Sequence, residues 1–139
     1  MTTTSSHIIS PPFAEDVQLL LNVPKHKPIL GHRNKVAISV FIAPPGTANV
    51  PIGCYIYGLY DLHHQIRRSQ VYQTTLNNSQ EPLFDMTKRI SHVITKKYQC
   101  PTYVCCTGGI DPLAVLGIIK ELITIINEQW TDEDNAGQP

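Results

Sequence analysis

PTYVCCTGGIDPLAVLGIIKELITIINEQW, residues 101–130, reads as strand, turn and helix in one unbroken run. Residues 101–107 are β-prone, with Pro101 at the first strand position, where a missing amide is tolerated. Gly108 and Gly109 turn the chain. Asp111 offers a side-chain oxygen to free helix amides, and Pro112 is preset for a first turn, so a helix is predicted from there to about Trp130. On a helical wheel Val115, Ile118, Ile119, Leu122, Ile125 and Ile126 share an arc, which Leu116, Ile123 and Trp130 widen to roughly half the circumference. A helix resting on one sheet needs an apolar stripe only a little over ~100° wide. The surplus calls for a second cover.

Toward the N-terminus, Pro82 opens a helix predicted to run to about Tyr98. Leu83, Met86, Ile90, Val93 and Ile94 gather on its inner face, and Lys88, Arg89, His92 and Lys96 on its outer one. Gln70–Leu76 is a thin, polar strand suited to a sheet edge. Ile52–Asp61 is a stronger strand with Tyr55, Tyr57 and Leu59 on one face. In Lys35–Ala43, Val36, Ile38, Val40 and Ile42 line one face, while Ala37, Phe41 and Ala43 make the other largely apolar. That pattern predicts a strand covered on both sides. These last two strands are joined by a short loop through Pro44-Pro45-Gly46, so an antiparallel hairpin is the simplest expectation.

Pro24–Asn34 is a connection rich in Pro, Lys and His, and Val17, Leu19, Leu21 and Val23 alternate as a half-buried strand does. Residues 1–14 are expected to be a loose arm, and 131–139 an acidic, disordered tail. The order β-β-β-β-α-β-α places residues 1–130 in a single α+β domain. Its sheet, or sandwich, should be mostly antiparallel and flanked by two helices from the C-terminal half.

The chain's 139 residues give room for one core without a staple. No window approaches ~18 consecutive apolar residues, and the polar start lacks the pattern of a secretory signal. The four cysteines, Cys54, Cys100, Cys105 and Cys106, form no C-x-x-C pair and sit in apolar runs, as core thiols of a reducing compartment do. A cytoplasmic location is expected, with the nucleus within reach of so small a chain. Net charge is zero but uneven: residues 25–97 carry ten Lys/Arg against three acids, while the stretch from Asp111 onward has six acids and one lysine. Such a split suits docking on a charged protein surface better than general nucleic-acid binding.

Chemistry finds little support. Cys105-Cys106-Thr-Gly-Gly resembles a nucleophile beside an oxyanion loop, yet nothing assigns it a base, and Gly-Gly lacks the lysine and spacing of a phosphate loop. The adjacent His63 and His64 have no second ligand cluster. Tyr55, Tyr57 and Tyr60 near Arg67-Arg68 lack a known RNA-binding signature. No catalytic, cofactor-binding or metal-binding residue is assigned, and no membrane contact is expected.

The run from Phe84 through Thr107, with its Pro101-Thr-Tyr-Val strand, and its continuation from Asp111 to Asn127 resemble the proteasome-assembly chaperone family in its fungal fourth-type form. Ala37–Phe41 and Cys54–Tyr57 resemble that family's early strands. The resemblance implies antiparallel strands flanked by helices, and a heterodimer with the third-type chaperone. It also implies transient binding to an α-type subunit as the seven-membered ring of the 20S core particle assembles, with no cofactor. The family has no short motif to carry over residue by residue.

Two surfaces are candidates. Either border of the wide terminal helix, Ile118 and Ile125 or Leu116, Ile123 and Trp130, is a candidate partner contact unless the Leu83–Tyr98 helix covers the surplus. Ile118 and Ile125 are favoured because the polar Gln129 beside them suits an interface rim. Lys88, Arg89, His92 and Lys96 are either an ordinary solvated face or a docking stripe for an acidic α subunit. A longin- or roadblock-like adaptor shares the size and mixture of elements, and a thiol-dependent enzyme using Cys105 or Cys106 is the alternative from another class.

Overall fold

The computed structural model describes residues 2–12, 14–46, 52–62 and 71–130. Among these, six strands form one sheet: β1 (Thr2–Ile9), β2 (Val17–Pro24), β3 (Ile38–Ala43), β4 (Cys54–Tyr60), β5 (Val71–Asn78) and β6 (Thr102–Cys106). Helix α1 spans Phe84–Tyr98 and α2 spans Val115–Glu128. The strand order is β1-β2-β3-β6-β4-β5, antiparallel throughout except for the parallel pair β3–β6. This is the α+β fold expected, with both helices in the C-terminal half.

Two local expectations are corrected. Residues 2–9 are not a loose arm: they pair with β2 in register from Thr2↔Pro24 to Ile9↔Val17. Thr-rich chain is β-prone, and a strand at a sheet edge needs little apolar surface, so only Ile9 of β1 is buried. Nor do β3 and β4 form a hairpin, because β6 lies between them, parallel to β3 and antiparallel to β4. Residue for residue β6 is more buried than either neighbour, and α1 supplies the long crossover that a parallel partner for β3 requires. Polar β5 is the opposite edge, as its sequence predicts.

The helices share one side of the sheet. α1 packs on β4, β6 and β5. Gly58 permits its close approach, since a Cβ there would run into the Thr95 and Ser91 hydroxyls. α2 is held toward β2: Trp130 Nε1 donates to the Pro24 carbonyl at 3.0 Å, and its ring meets Tyr98 edge-on at 5.6 Å. Tyr98 in turn donates to Asn127 Oδ1 at 2.7 Å, tying the two helix ends together. Leu19, Leu21, Ile38, Ile42, Ile56 and Val104 form the sheet's side of the core beneath them. The helix starts follow the sequence: Asp111 Oδ1 accepts from Leu113 N at 2.9 Å, and Pro82 and Pro112 each sit in a single 3-10 turn before the α-helix proper.

Candidate protein interface

Side chains alternate across a strand, so every strand that feeds the core also presents a second face. The positions that alternate with the core ones, paired with one another across the strands, define that face: Leu20 and Asn22 on β2, Ser39 and Phe41 on β3, Tyr103 and Cys105 on β6, and Tyr55, Tyr57 and Leu59 on β4. Neither helix lies over it. Leu20 is 46% and Leu59 43% exposed, and Phe41, Tyr55, Tyr57 and Tyr103 are half-buried. Tyr103 is the hub, 4.8 Å from the Tyr57 ring and 6.1 Å from Tyr55 edge-on. A cleft of about 270 Å³ opens between Leu20, Phe41, Ile52, Tyr55 and Tyr103. Asn22 Oδ1 is buried at its floor with no donor, an acceptor a docked partner could satisfy. Burial pushes the Tyr55 phenol above its ordinary range, as does the neighbouring Cys105.

One member of the favoured border of α2 is not at the surface. Ile118 is fully buried, so it belongs to the core rather than to a partner contact. Ile125 is half-buried and packs against that core, and Gln129, also half-buried, folds its amide back onto the Ile125 carbonyl at 3.3 Å. The wheel identified the correct apolar arc and the wrong open edge: Leu116 is 62% exposed, whereas Trp130 on the same border is buried against Pro24 and Tyr98. On α1, Lys88, Arg89 and Lys96 are exposed and His92 is half-buried. Lys88 holds its ammonium 5.8 Å over the Phe84 ring, and its carbonyl accepts from Gln73 of the edge strand at 2.7 Å.

The thiol and anion readings meet specific obstacles. Cys105 and Cys106 are buried, and burial pushes the Cys106 thiol to about 12 and the Cys105 thiol in the same direction, so both keep their protons near neutrality. The Gly108 amide, the donor an oxyanion would need, is taken: it donates to Gln80 Oε1 at 3.0 Å, and Thr107 Oγ1 shares that acceptor at 3.1 Å. Among the described residues no group of three His, Cys, Asp or Glu side chains is placed to hold a metal, and no helix is long and apolar enough to cross a membrane. His63, His64, Arg67 and Arg68 lie outside the described residues, as does the 131–139 tail.

The open face escaped the sequence reading, although its signal was present. Tyr55, Tyr57 and Leu59 alternate on one face of a strand, and Lys35–Ala43 is apolar on both faces. Two helices on one side cannot cover both.

No protein-family model matches this chain, and no curated protein matches it. Among solved structures, a chain in the crystal structure of a chaperone complex for yeast 20S proteasome assembly has the same fold. The two superpose with a TM-score of 0.69 over 92% of this chain and 97% of that one, at 19% sequence identity.

Proposed function

We propose that this protein is a proteasome-assembly chaperone of the fourth type. It pairs with a third-type chaperone through the open tyrosine face and binds a 20S α-type subunit while the α ring assembles, in the cytoplasm and the nucleus. The observation that carries this reading is the uncovered face of β2, β3, β6 and β4, in a fold shared nearly end to end with a component of a yeast 20S assembly complex. Clustered aromatic side chains around a cleft suit the buried centre of a protein interface. With the thiols protonated and the glycine turn filled by Gln80, the same features argue for binding over catalysis. A longin- or roadblock-like adaptor has no observation of its own in its favour.

Co-expression with a third-type chaperone is the test. A one-to-one complex that captures an α-type subunit is expected, whereas the chain alone should self-associate through its open face. A monodisperse monomer at high concentration that ignores both partners would overturn the reading. Recovery of coat or GTPase components instead would favour the adaptor.

A further inference from the structure

The β2–β3 connection, rich in Pro, Lys and His, is a built feature. Between Pro24 and Val36 it contains Lys25, Lys27, Arg33 and Lys35, two histidines and no acid. At its tip Ile29 and Leu30 are each 61% exposed, although both belong to residue types that usually seek the core. A mobile loop would leave such a tip without a defined shape, but this one is pinned. Asn34 Oδ1 accepts from Ile29 N at 3.1 Å, and Asn34 Nδ2 faces the carbonyls of Ile29, His32 and Gln99 at 3.0, 3.2 and 2.9 Å. Gly31 N donates to Gln99 Oε1 at 2.7 Å, and His32 N to the Ile29 carbonyl at 3.2 Å. Gln99 is itself the left-handed cap of α1, with φ 53°, so the loop is fastened to the end of a packed helix. Gly31 turns the tip with φ 82°, a conformation few other residues adopt cheaply.

Clefts of about 460 Å³ lie on both sides of this loop. One is lined by Pro24–Ile29 and Arg33–Val36, the other by His32–Lys35 with Leu59, Tyr72 and Pro101. The surface is therefore a rigid aliphatic knob between two clefts, ringed by cations, with Asp61 as the one acid among the residues that line them.

We propose that this knob is a client-binding element: it inserts Ile29 and Leu30 into an apolar pocket rimmed by carboxylates on the α-type subunit. The partner's identity rests on the chaperone reading above; its chemistry rests on the knob. The two aliphatic tips supply desolvated contact area, and Lys25, Lys27, Arg33 and Lys35 supply charge complementarity that favours an acidic rim over a neutral or basic one. Pinning the loop before contact lowers the ordering cost of binding. The acidic tail is a poor occupant, because residues 131–139 contain no large apolar side chain to cover the tip. An anionic membrane would answer the same charges but would leave the flanking clefts unfilled.

The test uses the purified heterodimer of the full chain with a third-type chaperone, titrated against purified α-type subunits. The Ile29→Asp/Leu30→Asp variant should keep its affinity for the partner chaperone and lose roughly 30-fold or more for the α subunit. An Ile29→Val/Leu30→Val variant should retain most of that affinity, and raising the salt concentration should weaken the wild type. Unchanged α-subunit affinity in the Asp variant overturns the knob while leaving the chaperone reading intact. Wild-type heterodimer that binds no α subunit overturns both. Binding of the wild type to phosphatidylserine–phosphatidylcholine vesicles, abolished in the Asp variant while α-subunit affinity stays unchanged, would reassign the tip to a lipid surface.

Discussion

The two faces of this sheet are built from alternate residues of the same strands, and they differ in what covers them. Under the helices, Leu21, Ile38, Ile42, Ile56 and Val104 are wholly buried. One residue away along the same strands, Leu20, Phe41, Tyr55, Tyr57 and Tyr103 are nearly as apolar and only partly covered. A monomer designed to end at its own surface would alternate apolar with polar. Here the second face is written in aromatic residues, the side chains that give much contact area for little lost rotamer freedom. The difference separates residues that make the fold from residues available to a partner.

That separation is broken most severely on the helix side. Ile118→Glu would bury a carboxylate among Leu122, Ile126 and the strands beneath, with no partner for its charge. The chain should fail to fold, seen as loss of the cooperative urea transition. The exposed neighbour Leu116→Glu should change stability by no more than about 0.5 kcal/mol. Similar effects at the two positions would mean that the side of α2 assigned to the core is wrong.

The open face should respond the other way round. Tyr103→Ala removes the ring against which Tyr55 and Tyr57 rest. Because that ring is half-exposed, thermal denaturation should register only about 1 kcal/mol. Binding of the third-type chaperone, followed by calorimetry, should lose about 2–4 kcal/mol, as expected for an aromatic anchor near an interface centre. A large stability loss with intact binding would return Tyr103 to the core and move the interface elsewhere.

What the sequence revealed, and what it concealed, follows from the range of the forces involved. Local chemistry was legible: the Asp111-Pro112 helix start, the inner face of α1 and polar β5 at an edge all depend on neighbours within a few residues. Long-range pairing was not. Whether β4 joins β3 directly or admits β6 depends on a strand more than 40 residues downstream, which short-loop reasoning cannot anticipate. β1 was hidden for a similar reason: its polar residues acquire strand structure only from the free edge of β2. For the candidate site, the wheel measured the apolar arc of α2 correctly but could not know that Trp130 would reach Pro24 and that Ile118 would face inward. The rigidity of the 24–36 loop depends on Asn34 meeting Gln99 across the fold, and nothing local announces that meeting.

The buried thiols test the covered face through pH. Burial raises Cys100 and Cys106 from an ordinary 9.0 to about 12. Below pH 9 folded and unfolded chains hold these protons equally, so stability should not change with pH on their account. Between 9 and about 12 the unfolded chain releases protons that the folded chain keeps, and stability should fall as pH rises. The limiting slope is about 1.4 kcal/mol per pH unit for each thiol. Urea midpoints should be level from about pH 7 to 8.5 and decline above about 9, and Cys106→Ala should remove part of that alkaline slope. An unchanged slope in the variant would show that the Cys106 side chain is reached by water.

The smallest effect is expected on the outer side of α1, which belongs to neither sheet face. Lys88, Arg89 and Lys96 are exposed there, and His92 is half-buried. Lys88 leans over Phe84 at 5.8 Å, a contact worth at most about 1 kcal/mol at an exposed site. Reversing Lys88 and Lys96 to Glu should therefore leave the fold and the partner heterodimer unchanged, with a stability change of no more than about 0.5 kcal/mol. If the stripe steers an acidic α subunit, the loss should appear in the association rate, several-fold at low salt and vanishing as salt screens the charges. Dissociation should be nearly unaffected, because such charges act before contact is complete. Stopped-flow measurements at two salt concentrations separate this from the knob on the 24–36 loop, whose Asp substitutions should act mainly on dissociation. Equal association rates for wild type and the double reversal at low salt would return the stripe to an ordinary solvated helix face.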